Sequence, residues 1–252
     1  MNVGGTKAAR QAIALRDTRA IMAMIADNLQ QVRDRIARAC ALAARPVQSV
    51  TLLAVSKRFD AAAVREAVAA GQRRFGENYV LEGVAKIDAL ADLRDQLEWH
   101  LIGPLQANKT RVVAERYDWV HTVDRLKIAQ RLSEQRPEGL AALQVCVQVN
   151  VSGEASKSGV MPDELATLAH AVAALPRLRL RGLMAIPAPA VEPQAARAPH
   201  RALRELLQAL QRSGLAVDTL STGMSDDLEA AIDEGSTMVR VGTAIFGPRQ
   251  SD

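Results

Sequence analysis

Beyond Pro46 the chain alternates short apolar runs with segments of helical periodicity, and it does so eight times. The runs are Val50 to Ser56, Arg74 to Glu77, Glu98 to Ile102, Trp119 to Thr122, Leu143 to Val151, Leu178 to Met184, Thr219 to Ser221 and Met238 to Val241. Strands that alternate with helices are the mark of repeated β-α units around a parallel sheet. Eight repeats favour a sheet closed on itself, a (β/α)8 TIM-type barrel, which needs about 250 residues. The chain has 252, so one domain over residues 1–252 is expected.

Helix starts are visible between several runs. Asp60 precedes Ala61 to Ala70, Asp124 precedes Arg125 to Arg136, and Pro162 opens a segment to Leu175. Before the first run, Thr18 to Ala44 repeats Ile21, Ile25, Leu29, Val32, Ile36 and Cys40 at helical spacing, which predicts an extra N-terminal amphipathic helix. Residues 1–17 are expected to be poorly ordered. Pro187 to Pro199, with four prolines, is expected to be an irregular loop before a helix over Arg201 to Arg212.

Composition excludes several classes. Lys and Arg total 32 against 28 Asp and Glu, and the basic residues are spread out rather than clustered with aromatics, so no nucleic-acid partner is expected. No stretch approaches the roughly 18 consecutive apolar residues of a membrane span, and Arg10, Arg16, Asp17 and Arg19 interrupt any export signal. With only Cys40 and Cys146 there is neither a disulfide framework nor a metal-ligand spacing, and a cytoplasmic location is expected. His100 and His121 fall on strands, where satisfaction by a backbone carbonyl in the core is the expectation; His170 falls in a helix and His200 at a helix start, without ligand spacing.

Barrel enzymes gather ligands at the C-terminal ends of their strands, so the residues ending each run bear on function. The first run passes straight into Lys57. A partly desolvated lysine there can lose its proton and attack an aldehyde; taken alone, it reads more readily as a solvated loop lysine. The seventh and eighth runs close on Ser221-Thr222-Gly223-Met224-Ser225 and on Arg240-Val241-Gly242-Thr243, where small residues let a phosphate approach backbone amides, or simply form turns. A lysine and a phosphate cradle at one mouth would suit a phosphorylated aldehyde. Arg240 shares a strand face with Gly242 and is expected to point into the barrel.

The segments Ala54-Val55-Ser56-Lys57, Phe75-Gly76-Glu77-Asn78-Tyr79, Trp99 to Lys109, Gln148-Val149-Asn150-Val151, Gly182-Leu183-Met184 and the two C-terminal segments together resemble the pyridoxal phosphate homeostasis protein family, which shares the barrel of the alanine racemase N-terminal domain. The likeness covers nearly everything after about residue 48. It implies pyridoxal 5′-phosphate (PLP) as cofactor, held as an internal aldimine on Lys57. It further implies Arg240 facing the pyridine nitrogen, Ser221, Gly242 and Thr243 at the phosphate, and Met224 and Asn78 nearby. An arginine there keeps the nitrogen unprotonated and weakens the ring as an electron sink. The resemblance also implies vitamin B6 and amino-acid homeostasis without catalytic turnover, a monomer, and PLP-dependent apoenzymes as recipients.

Two positions stand out against that pattern. Pro104 occupies a run where eukaryotic members tend to have histidine, and Thr222 stands where methionine is common, from which a slight change in cofactor affinity is expected. Lys157, in the polar loop after the fifth run, reads as a solvated lysine, with transient capture of cofactor as the alternative. Two enzymatic alternatives rank lower. An amino-acid racemase needs a second base, a tyrosine supplied in alanine racemase by a further β domain, and this chain has only Tyr79 and Tyr117. A class I aldolase places its lysine on a later strand among carboxylates.

Overall fold

The eight apolar runs form eight strands in the computed structural model, which describes residues 24–154, 157–188 and 192–248. They are β1 (Thr51–Val55), β2 (Arg74–Glu77), β3 (Glu98–Leu101), β4 (Trp119–Val123), β5 (Leu143–Gln148), β6 (Leu178–Met184), β7 (Thr219–Ser221) and β8 (Met238–Val241). All are parallel, in sequence order, and β8 closes on β1 with Leu53 opposite Arg240. The protein is a (β/α)8 barrel. Residues 1–17, and residues 18–23 of the expected first helix, lie outside the described residues.

Helices coat the barrel: α1 over 24–42, then α2 (Ala61–Ala69), α3 (Val80–Ala89), α4 (Thr110–Arg116), α5 (Leu126–Gln135), α6 (Leu165–Ala173), α7 (Pro193–Arg212), α8 (Leu228–Asp233) and the short α9 (Thr243–Phe246). The periodic face of α1 is buried through Ile25, Leu29, Val32, Ile36 and Cys40. Its polar side chains bind the C-terminal end of α2 through Arg33, α8 through Arg35 and α9 through Asn28, which lays α1 across the β8/β1 seam. Burying an aliphatic side chain of this kind stabilises by about 1.5–3 kcal/mol. Inside the barrel, Leu53, Val55, Ile102, Trp119, Cys146, Met184 and Met238 form a separate apolar core.

Several boundaries differ from the sequence expectation for identifiable reasons. The fifth run stays apolar to Val151, but β5 ends at Gln148 because Val149 and Asn150 turn to pair with Val160. Asp60 caps α2 as expected, accepting the Ala63 amide at 2.9 Å. Asp124 does not cap α5; its carboxylate pairs with Arg125. The segment after Pro162 starts with a turn, and α6 begins only at Leu165.

The Pro187 to Pro199 loop is the largest correction, because α7 already starts at Pro193 and carries Pro199 inside it. Proline suits the first helical position, and Ala195, Ala196 and Ala198 are strong helix formers. The carbonyl that Pro199 leaves without a helical donor belongs to Ala195, an exposed residue open to solvent. Among the described residues no helix is long and apolar enough to cross a membrane, and no three His, Cys, Asp or Glu side chains are grouped to hold a metal.

Candidate functional site

Because all eight strands are parallel, their C-terminal ends share one mouth, and the loops after β1, β2, β3, β6, β7 and β8 line a cleft of about 400 Å³ there. Six of the seven residues singled out in the sequence face it: Lys57, Asn78, Met224, Arg240, Gly242 and Thr243. Phe59, Ile102, Ile186, Ser225 and Asp226 line it too. Ser225 belongs to the segment already singled out after the seventh run; the sequence signal of the others was their place beyond a strand.

Lys57 lies two residues beyond β1 and is half-buried. Its backbone is held from both sides. Before it, Ser56 donates its hydroxyl to Glu77 at 2.6 Å, and the Ser56 carbonyl accepts from Lys86 at 2.6 Å. After it, the Arg58 amide donates to Glu82 at 2.5 Å while Arg58 takes a left-handed φ of 66°. Phe59 then stacks on Phe246 of α9, ring centroids 5.0 Å apart, joining the β1 loop to the β8 loop. Nothing in the local sequence announces Glu77, Glu82 and Lys86 as the brace of this turn.

Arg240 points into the barrel, as its strand parity requires, and is 4% exposed. Its Nη1 donates to the Ser221 carbonyl at 2.5 Å and to Ser221 Oγ at 2.9 Å, and its Nη2 donates to the Ala185 carbonyl at 2.9 Å. Burial pushes the guanidinium down to about 10, so it stays charged at neutral pH. Among the described residues no carboxylate lies within ion-pair distance of it.

Ser221 does not line the cleft. It is fully buried beneath Arg240, with its hydroxyl also 2.8 Å from His121 Nδ1. The β7 loop turns at Gly223, whose φ of 96° and 2.5 Å approach of an added Cβ to Ala231 demand glycine. The Arg240 amide donates to the Gly223 carbonyl at 2.9 Å, so the β7 and β8 loops are fixed to each other. Thr222 faces away from the cleft, its hydroxyl 2.8 Å from His200 Nδ1. His100 and His121 are core residues, but side chains rather than backbone carbonyls satisfy them.

The fit to a phosphorylated aldehyde rests on this geometry. A lysine enters a cleft of small-ligand size, a buried cation with no carboxylate at ion-pair distance among the described residues faces the same space, and Thr243, Asn78 and Ser225 offer polar groups at the rim.

Residues 27–250 match the family model "Alanine racemase, N-terminal domain". A pyridoxal phosphate homeostasis protein of Pseudomonas aeruginosa is 62% identical over 228 residues, 90% of this chain and 97% of that relative. Among solved structures, PipY of Synechococcus elongatus PCC7942, solved with PLP bound, is 39% identical with a TM-score of 0.78, covering 88% of this chain and all of that one. Alanine racemase from Corynebacterium glutamicum has a TM-score of 0.69 at 21% identity, covering 90% of this chain and 62% of the racemase; that likeness is one of fold.

Proposed function

This chain belongs to the pyridoxal phosphate homeostasis protein family, and on that footing we propose that it holds PLP in the cleft, covalently through the Lys57 amine, and serves PLP and amino-acid homeostasis rather than catalytic turnover. The observation that carries the assignment of the site is Arg240: a buried guanidinium with no carboxylate at ion-pair distance among the described residues, facing the cleft that Lys57 enters.

Bound there, PLP supplies an aldehyde for a lysine amine and an electron-withdrawing ring. Lys57, on a backbone braced at both neighbours, would supply the amine that holds the aldehyde. Arg240 retains N–H groups beyond its bonds to Ser221 and Ala185, and these would donate to an unprotonated pyridine nitrogen. Thr243 and Gly242 would hold the phosphate, and Asn78 and Met224, which line the same cleft, would hold the rest of the ligand. Ser221 acts on the ligand through Arg240, since its hydroxyl is already engaged beneath it.

The placement of the tyrosines supports binding over racemisation. Tyr117 is buried in the helical layer, donating to the Val80 carbonyl at 3.2 Å, and Tyr79 is exposed outside the residues that line the cleft. We further read the protein as a cytoplasmic monomer that passes the cofactor to PLP-dependent apoenzymes, with neither nucleic acid nor membrane as partner.

The experiment is an absorbance spectrum between about 300 and 500 nm, with borohydride reduction and peptide mapping. A yellow, reducible band that maps to Lys57 and is missing from Lys57→Ala is the expected result. A protein that stays colourless with added PLP would overturn the assignment.

A further inference from the structure

A polar thread runs through the barrel interior that PLP binding does not itself require. Glu98 Oε1 lies 2.9 Å from His100 Nε2, His100 Nδ1 lies 2.9 Å from His121 Nε2, and His121 Nδ1 lies 2.8 Å from Ser221 Oγ, which accepts from Arg240 Nη1 at 2.9 Å. These residues are contributed by β3, β4, β7 and β8, and all but Glu98 are buried. Glu98 begins β3 at the opposite mouth, where it lines a second cavity of about 690 Å³ with Arg74, Trp119 and Arg181. The thread therefore spans the barrel from that mouth to the cleft.

Counting donors gives the thread a direction. Arginine can only donate, so Ser221 Oγ accepts from Arg240 and its own proton has His121 Nδ1 as acceptor. A neutral His121 then donates from Nε2 to His100 Nδ1, and a neutral His100 donates from Nε2 to the Glu98 carboxylate. The reverse sense needs a charged His100 or a protonated Glu98. Neither is favoured by the surroundings. Burial depresses both imidazoles, although Glu98 and Asp118 pull His100 up while Arg74 pushes it down, and His100 and Arg240 depress His121 further. Burial raises Glu98, but its bond to His100, with Arg74 and Trp119, outweighs burial and leaves its carboxyl below the ordinary range. Trp119 stacks on His100, centroids 5.2 Å apart, and holds the ring plane.

We propose that Glu98, His100, His121 and Ser221 are positioning residues that form a one-way hydrogen-bonded relay, fixing the orientation of Arg240 in the cleft and tying its charge to a carboxylate at the far mouth. Each donor polarises the next, so the negative end at Glu98 strengthens the grip of Ser221 on the guanidinium. The proposal rests on the PLP assignment of the cleft for its effect on ligand, but not for the relay itself.

The test uses the full chain with 15N-labelled histidine and titration with PLP. In the wild-type protein both rings are expected to be neutral Nε2–H tautomers from about pH 6 to 8. Glu98→Ala, at the partly exposed end, is expected to move His100 and His121 signals toward the Nδ1–H form and to weaken PLP binding about tenfold. Ser221→Ala is expected to weaken binding similarly. Arg74→Ala removes a cation from the same carboxylate without breaking the thread, and binding within about twofold of wild type is expected.

Rings that are Nδ1–H or that titrate in this range would overturn the relay. Correct tautomers with wild-type PLP affinity in Glu98→Ala would overturn its action on Arg240, as would an Arg74→Ala loss equal to that of Glu98→Ala. A wild-type protein that binds no PLP would sink the cleft assignment instead, and the ring tautomers would still decide the relay. Should Ser221→Ala fail to fold, Glu98→Ala and the wild-type tautomers suffice.

Discussion

The ammonium of Lys86 lies 2.6 Å from the carbonyl oxygen of Ser56, so a helix of the outer layer grips the chain one residue before Lys57. The same ammonium reaches Glu77 at 2.8 Å and Glu82 at 2.7 Å, and Glu82 holds the amide one residue after Lys57. One ion cluster thus sets the backbone on both sides of the cleft lysine. Lys86 is 5% exposed and Glu77 wholly buried, so neither charge has water as a substitute partner.

Lys86→Met is therefore expected to be strongly destabilising, because it strands the Glu77 carboxylate without its cation. Losing one partner of a buried pair costs about 3–5 kcal/mol. Adding Glu77→Gln removes the stranded charge and is expected to restore more than half of the loss. Urea unfolding midpoints check this, and an unchanged midpoint in Lys86→Met would mean the cluster contributes no net stability.

Gly103→Ala is expected to disturb the cleft from behind. An added Cβ would stand 2.1 Å from the Asn78 carbonyl oxygen and 2.6 Å from its Cα, both backbone atoms, while Thr122 fixes the Gly103 carbonyl at 2.8 Å. Asn78 must move, and it lines the cleft. Overpacking of this kind costs about 1–3 kcal/mol. Weaker PLP uptake together with a lower melting temperature is expected; wild-type uptake would show that Asn78 is dispensable to the site.

The barrel was legible because its repeat is coarse: eight apolar runs mark eight strands whatever their exact ends. Strand parity also placed Arg240 in the interior, position just past a strand singled out Lys57, Gly242 and Thr243, and the family resemblance added Asn78 and Met224; all face one cleft. What stayed hidden depends on tertiary partners. Ser221 meets His121 across 100 positions, so no local pattern could show that its hydroxyl points beneath Arg240. Lys86 reads as a surface residue of a helix until the ends of β1 and β2 are placed under it. The proline-rich segment misled because its prolines outweighed its alanines, when one proline sat where a helix begins and another where an exposed carbonyl can face water.

Acid is expected to loosen the β7 loop through Asp227. Burial raises its carboxyl, but His200 and the Met224 amide, 2.5 Å from Oδ1, outweigh burial and hold it below the ordinary 3.8. A depressed folded value stabilises the native state above the unfolded value, and that contribution is lost as pH falls through the folded one. Melting temperature is therefore expected to drop below about pH 4, and to drop less steeply in Asp227→Asn. Parallel acid profiles for the two proteins would remove Asp227 from the acid response.

Thr222 and His200 give the last prediction. His200 is buried, with Nδ1 2.8 Å from the Thr222 hydroxyl and Nε2 3.2 Å from Asp227. Replacing Thr222 by methionine, the residue that the family resemblance puts at this place, leaves the imidazole Nδ1 without its partner, at an expected cost of about 1–3 kcal/mol. His200→Leu in the same chain removes the orphaned group, and the double variant is expected to be more stable than the sum of the single losses by about 1 kcal/mol. PLP affinity is expected to stay near wild type throughout, since Thr222 faces the helix α7 rather than the cleft. Additive losses would break the pairing of Thr222 with His200. A fall in affinity with Thr222→Met alone would instead put the hydroxyl in contact with the ligand's surroundings, and the threonine would then belong to the site.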